Sequence, residues 1–191
     1  MSEHDRKKWD AKYTAADEDG AAGENHWLAQ QVQGMQPGRA LDLACGLGTN
    51  AIRLAQLGWT VAAIDISPVG LQIAARSAAA TGVQVDWQVA DLETWEPAAA
   101  TFDLVTVFRY LDRDRLPQRI QAALKPGGTL LYETFVEGPN AADGGHVRNP
   151  AFVLQRDELP TLFPNLEVIE YSEIETGDHY VARLRSRNPA P

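Results

Sequence analysis

Between Arg39 and Phe135, short apolar runs alternate with helical segments, and turn residues separate them. The runs are Arg39–Ala44 (RALDLA), Thr60–Ile64 (TVAAI), Val83–Val89, Phe102–Phe108 (FDLVTVF) and Thr129–Phe135. The helical stretches are Thr49–Leu57, Ser67–Thr81 and Leu116–Leu124, which stop at Gly58, Gly82 and Pro126-Gly127-Gly128. Ser67-Pro68 reads as a helix start, because serine caps free backbone N–H groups and proline fits the first turn, where no N–H partner is needed. Strands joined through helices run parallel, with right-handed crossovers and helices on both faces. The tail departs from this rhythm. Leu166–Ile174 and Tyr180–Arg187 are separated only by Glu175–His179. That link is too short for a helical crossover, so these strands are expected to be antiparallel. The expected fold is α/β: a doubly wound, mostly parallel seven-stranded Rossmann-like sheet with a C-terminal antiparallel hairpin.

The flanks are read more coarsely. The opening segment up to about Asp19 is charged and expected to be helical, with Trp9 and Tyr13 at i, i+4 on one face. Asp17–Gly23 reads as a loop, and Asn25–Gly34 as a helix closed by Pro37-Gly38. Val136–Pro150 reads as a loop, followed by a short helix over Arg156–Phe163.

Composition narrows the function class. A chain of 191 residues, 45% of them hydrophobic, suits one domain with a sizeable core. A formal net charge of −9 argues against nucleic acid or anionic membrane as the main partner, because phosphates are held by clustered Lys and Arg. The single cysteine, Cys45, has no disulfide partner and no companions for a zinc cluster. The four histidines are scattered, so no metal site is expected. The start, MSEHDRKKWD, is charged and has no apolar stretch behind it, so no secretory signal is expected. No apolar run reaches the ~20 residues of a membrane helix. A soluble cytoplasmic protein is the expectation.

In sheets of this kind ligands bind at the carboxyl ends of the strands. The first strand runs into Asp42-Leu43-Ala44-Cys45-Gly46-Leu47-Gly48, where two glycines permit a tight turn and close approach of a ligand. Gly46, Gly48 and Ala51 also satisfy GxGxxA, so the turn is formally compatible with a dinucleotide. Asp42 weighs against that, because a carboxylate beside the turn repels a pyrophosphate and attracts a cation. S-adenosylmethionine has no phosphate and carries an ammonium and a sulfonium. Asp65 ends the second strand and suits ribose hydroxyls, which both ligand types possess. Asp91 follows the third strand, where it suits an adenine amino group with Leu92 against the ring. Each acid is equally readable as a cap or a solvated loop residue. Three acids after three successive strands favour a nucleoside-bearing, cationic ligand.

The series ALDLACGLGTNAIRLAQLGWTVAAIDISPVGL, VADLETW, FDLVTVFRYL and LKPGGTLLYETF resembles the motifs of class I S-adenosylmethionine-dependent methyltransferases, in order and over Ala40–Phe135. Through WDAKY, FRYLDR and YETF the chain resembles the small bacterial tellurite-resistance and thiopurine-type members. The resemblance implies roles for matching positions. Asp42, Ala44 and the Gly46–Gly48 turn would hold the methionine end, Asp65 and Ile66 the ribose and one adenine face, and Asp91 and Leu92 the adenine. Phe108 and Arg109 would border the sulfonium and the acceptor, and Trp9 and Tyr13 would ride on a helix folded over the cofactor. It also implies one methyltransferase domain over 1–191, with a helical lid at 1–35, a cofactor core at 39–135 and a substrate loop and hairpin at 136–191. FRYL stands where DNA-base amino-methyltransferases carry (D/N/S)PP(Y/F), which together with the charge argues against that substrate class.

Methyl transfer is an in-line displacement in which the cofactor brings the electrophile and the protein brings orientation. The acceptor is expected to be a small molecule. Arg109 and Arg148 are candidates for binding an anionic one, and His146 and Glu133 are candidate bases. The bland counterparts are Arg148 tying its loop to a nearby acid and Glu133 as a solvated rim residue. A nicotinamide-dependent oxidoreductase and a non-catalytic S-adenosylmethionine-binding module are the alternatives. The acceptor's identity and the oligomeric state are not written in the sequence.

Overall fold

Backbone capping sets several element boundaries in the computed structural model, which describes residues 3–19, 25–138, 150–176 and 179–190. Helix α4 (Pro68–Ala80) starts where expected: Ser67 accepts from the Gly70 N–H and Pro68 fills the first turn. Helix α2 (His26–Val32) is capped by Asn25, whose side chain accepts from the Leu28 N–H. Helix α3 (Thr49–Gln56) is entered through Gly48 at φ +75°. Helix α1 spans Glu3–Asp19, α5 spans Leu116–Ala123, and α6 is a single turn over Glu158–Thr161.

The strands are β1 (Arg39–Leu43), β2 (Thr60–Asp65), β3 (Asp86–Val89), β4 (Phe102–Phe108), β5 (Leu124–Phe135), β6 (Glu167–Thr176) and β7 (His179–Arg187). They lie in the order β3-β2-β1-β4-β5-β7-β6. The pairs β1–β2, β2–β3 and β4–β5 are parallel, whereas β5–β7 and β6–β7 are antiparallel. The doubly wound, mostly parallel seven-stranded sheet with a terminal antiparallel hairpin is therefore present. The hairpin joins by its second strand, so β7 sits between β5 and β6.

The chain divides into two compact units, residues 1–96 and 97–191. Leu28, Leu41, Leu43, Leu54 and Ile64 are fully buried in the first. Leu104, Leu116, Ile120, Leu130 and Tyr132 are fully buried in the second, where the Tyr132 hydroxyl donates to the Tyr110 carbonyl at 2.9 Å. No helix among the described residues is long and apolar enough to cross a membrane.

Some boundaries differ from the sequence expectation. Asp17–Asp19 continue α1 rather than starting a loop, and residues 20–23 of that expected loop lie outside the described residues. Strand β3 starts at Asp86, not Val83, because its register with β2 begins at Ala62↔Asp86. The chain passes from α5 directly into β5, and Pro126-Gly127-Gly128 does not separate them. These residues form an irregularity inside β5, where the register jumps from Phe102↔Leu124 to Leu104↔Thr129. Gly127 supplies φ +81° there, and a Cβ on Gly128 would lie 3.0 Å from the Phe102 carbonyl oxygen. Helix α6 is shorter than Arg156–Phe163, and β6 and β7 extend further into the connection, to Thr176 and from His179.

Candidate functional site

In the first unit the carboxyl ends of β1 and β2 each carry a buried acid. Asp42 is 1% exposed and Asp65 is 4% exposed. Asp65 uses both oxygens as a brace: Oδ2 accepts from the Gly46 N–H at 2.8 Å and Oδ1 from the Ser67 N–H at 2.9 Å. It thereby ties the turn after β1 to the turn after β2. A carboxylate oxygen has a second lone pair, so bracing leaves acceptor capacity for a ligand hydroxyl. Burial pushes the Asp65 carboxyl above its ordinary range, against the pull of the Ser67 and Gly46 N–H groups. The half-buried Cys45 thiol is pushed up as well, by desolvation first and then by the Asp42 and Asp65 charges, and stays protonated.

The turn is strained and close-packed. Ala44 takes φ +54°, a left-handed conformation unfavourable for a residue with a Cβ. Gly46 takes φ +55° and Gly48 φ +75°. The two glycines have different neighbours. A Cβ on Gly46 would lie 3.0 Å from the Tyr13 hydroxyl. A Cβ on Gly48 would lie 2.5 Å from Cη2 of Trp87 and 2.8 Å from Cβ of Ala74. Gly48 therefore serves packing, which corrects the expectation that both glycines clear space for a ligand.

Tyr13 is the second meeting point. Its ring lies against Gly70, where a Cβ would be 2.7 Å from Cδ2, and its hydroxyl reaches Gly46. Burial, then the neighbouring Asp65 carboxylate, holds its phenol protonated, so it is a hydrogen-bond donor. Trp9 stacks on Tyr13 with centroids 5.5 Å apart, and the Lys12 ammonium lies 4.5 Å from the Trp9 ring centroid. Ile66 and Leu92 are buried. Asp91 caps its own turn, accepting from the Glu93 N–H at 2.9 Å.

The second unit holds the remaining candidates. Phe108 is half-buried at the end of β4. Arg109 follows it, exposed, at φ +57°, with its N–H donating to the Glu133 carbonyl at 2.8 Å. Glu133 is 6% exposed, and the Arg183 Nε donates to its Oε2 at 2.7 Å. It is therefore held against Arg183 and is not a solvated rim residue. His146 and Arg148 lie outside the described residues. Sequence reasoning passed over Arg113, which donates to both oxygens of Glu158 and to the carbonyls of Ala151 and Val153. It also passed over Asp10, which accepts from the Ser67 hydroxyl at 2.5 Å. The available signal was position: Asp10 lies three residues before Tyr13, on the same helix face.

Residues 40–128 match the family model described as a methyltransferase domain. The chain is 37% identical over 108 residues to the ubiquinone biosynthesis O-methyltransferase of Xanthomonas axonopodis pv. citri, covering 54% of this chain and 45% of that protein. The chain spans about half the length of the curated relatives it matches. Among solved structures it resembles magnesium protoporphyrin IX methyltransferase from Synechocystis, with a TM-score of 0.73 at 18% identity over 96% of this chain and 97% of that one. It also resembles TehB from Haemophilus influenzae, with a TM-score of 0.73 at 18% identity over 88% and 63%. At such identities the structural likeness shows the fold. The ordered motif series, the seven-stranded sheet that carries it and the match of residues 40–128 to a methyltransferase-domain model make this chain similar to class I S-adenosylmethionine-dependent methyltransferases.

Proposed function

We propose that the chain binds S-adenosylmethionine at the Gly46 turn and transfers its methyl group to a small-molecule acceptor. The observation that carries this is the pair of buried carboxylates, Asp42 and Asp65, flanking a turn whose glycine has no Cβ. That donor set suits a cationic nucleoside better than a pyrophosphate. In this reading Asp42, Ala44 and Gly46 receive the methionine end, Asp65 and Ile66 the ribose and one adenine face, and Asp91 and Leu92 the adenine. Tyr13, backed by Trp9, covers the turn. When bound, S-adenosylmethionine supplies an electrophilic methyl, and the displacement leaves S-adenosylhomocysteine. The protein's share is to orient the acceptor in line and exclude water. The whole chain, 1–191, acts as one such domain.

Several of the curated relatives are named ubiquinone biosynthesis O-methyltransferases, and an oxygen acceptor is the class proposed here. Arg109 is assigned to an anionic group on that acceptor. Its support is an exposed guanidinium held in strained backbone at the carboxyl end of β4, since such strain clusters at functional positions. Calorimetric titration with S-adenosylmethionine, S-adenosylhomocysteine, NAD and NADP tests the cofactor. Micromolar binding of the adenosyl compounds alone is expected, whereas binding of NAD overturns the reading. Arg109→Ala is expected to raise KM for anionic acceptors and leave S-adenosylmethionine affinity unchanged.

A further inference from the structure

We propose, on the S-adenosylmethionine reading of the Gly46 turn, that Asp10 is a positioning residue that latches α1 to the serine cap of α4 and so holds Tyr13 on that turn. The Ser67 hydroxyl has one proton and two lone pairs. It accepts from the Gly70 N–H at 3.0 Å, as a helix cap does, and donates its proton to Asp10 Oδ1 at 2.5 Å. One hydroxyl thus starts α4 and fastens α1. The carboxylate also sits at the positive end of a 13-residue helix, where negative charge is favoured.

Three residues along α1, Tyr13 enters the space that two glycines leave open. Gly70 lies in the first turn of α4, where glycine is a poor helix former. A Cβ there would collide with the Tyr13 ring at 2.7 Å and sit 3.3 Å from the Gly46 carbonyl oxygen. Latch, tyrosine and turn are therefore contiguous: Asp10 to Ser67, Tyr13 to Gly70, Tyr13 to Gly46. Docking α1 brings the Asp10 charge towards Asp65, whose carboxyl is pushed up first by burial and, in smaller part, by that charge. A cation bound at the turn relieves that repulsion. Closure of α1 and binding of a cationic cofactor consequently favour each other, and the coupling is reciprocal.

Asp10→Ala and Asp10→Asn, made in the full chain, test this by two readouts: hydrogen exchange of the α1 amides and the dissociation rate of S-adenosylhomocysteine. Loss of a charge-assisted hydrogen bond in Asp10→Ala is expected to speed both about tenfold. Asp10→Asn keeps an oxygen that accepts from Ser67 and is expected to stay within about threefold of wild type. Ligand should slow α1 exchange in wild type and much less in Asp10→Ala. Unchanged dissociation in Asp10→Ala overturns the proposal even if α1 exchanges faster, because the contact is then only structural. An Asp10→Asn protein as impaired as Asp10→Ala overturns it too. A wild-type protein that binds no S-adenosylhomocysteine removes the cofactor reading, which is distinct from a wild type that binds and a latch variant that binds equally well.

Discussion

The Gly46 N–H donates to Asp65 Oδ2 at 2.8 Å across nineteen residues of chain, joining the turn after β1 to the end of β2. Asp65 is therefore both a site residue and a structural brace. Asp65→Ala leaves two buried backbone donors, on Gly46 and Ser67, without their acceptor. Each such loss costs about 1–3 kcal/mol, partly offset because a buried carboxylate is removed. A net loss of about 1–3 kcal/mol is expected in urea denaturation, together with weaker cofactor binding. Asp65→Asn keeps one acceptor oxygen, so it should lose roughly half as much stability as Asp65→Ala and still lose affinity. An Asp65→Ala protein as stable as wild type would contradict the brace.

The raised Asp65 pKa fixes the sign of a pH effect. The folded chain holds this proton more tightly than the unfolded chain does. Its contribution to stability is thus full below the unfolded value, about 3.9, and is lost as pH rises through the higher folded value. Cationic ligand binding runs the other way, since it favours the carboxylate. S-adenosylmethionine affinity should fall as pH drops through that window, and Asp65→Asn should flatten the fall. Parallel profiles for the two proteins would assign the effect to another group.

Gly46 and Gly48 should respond differently to alanine. Gly48→Ala drives a methyl into the Trp87 ring and Ala74 at φ +75°. Overpacking of about 1–3 kcal/mol adds to about 1–2 kcal/mol of backbone strain. Trp87→Leu should restore part of that stability in the double variant. Gly46→Ala meets the tip of Tyr13, which can move, so its stability loss should be smaller and its loss of cofactor affinity larger. Equal effects of the two substitutions on both readouts would remove the distinction between a packing and a ligand-facing glycine.

Ala44 holds φ +54° with a Cβ that favours other conformations. Ala44→Gly removes strain of about 1–2 kcal/mol and adds about 0.4–1 kcal/mol of unfolded-state entropy. A net gain of about 0.5–1 kcal/mol is expected in the denaturant midpoint. A loss would mean that the Ala44 methyl has packing value exceeding its strain.

The sequence by itself determined what local physics determines. Ser67-Pro68 starts a helix because a side-chain oxygen three bonds from its own backbone caps the turn wherever that turn lies in the fold. The alternation over Arg39–Phe135 implied parallel strands because a helix is the short way back to the same edge, and the brief link before β7 implied an antiparallel partner. Asp42, Gly46 and Asp65 were legible as candidates because strand ends and a turn-forming glycine mark where such sheets bind ligands. Tertiary structure decided what depends on residues distant in the chain. It set β7 between β5 and β6, since hydrogen-bonded edges and not sequence order choose the neighbour. It turned Gly48 into a packing residue by bringing Trp87 from β3 against it. It buried Glu133 by laying Arg183 across it, and it placed Asp10 on Ser67, fifty-seven residues away. No local pattern encodes such pairs, because each partner's preference is satisfied only once the other's backbone is in place.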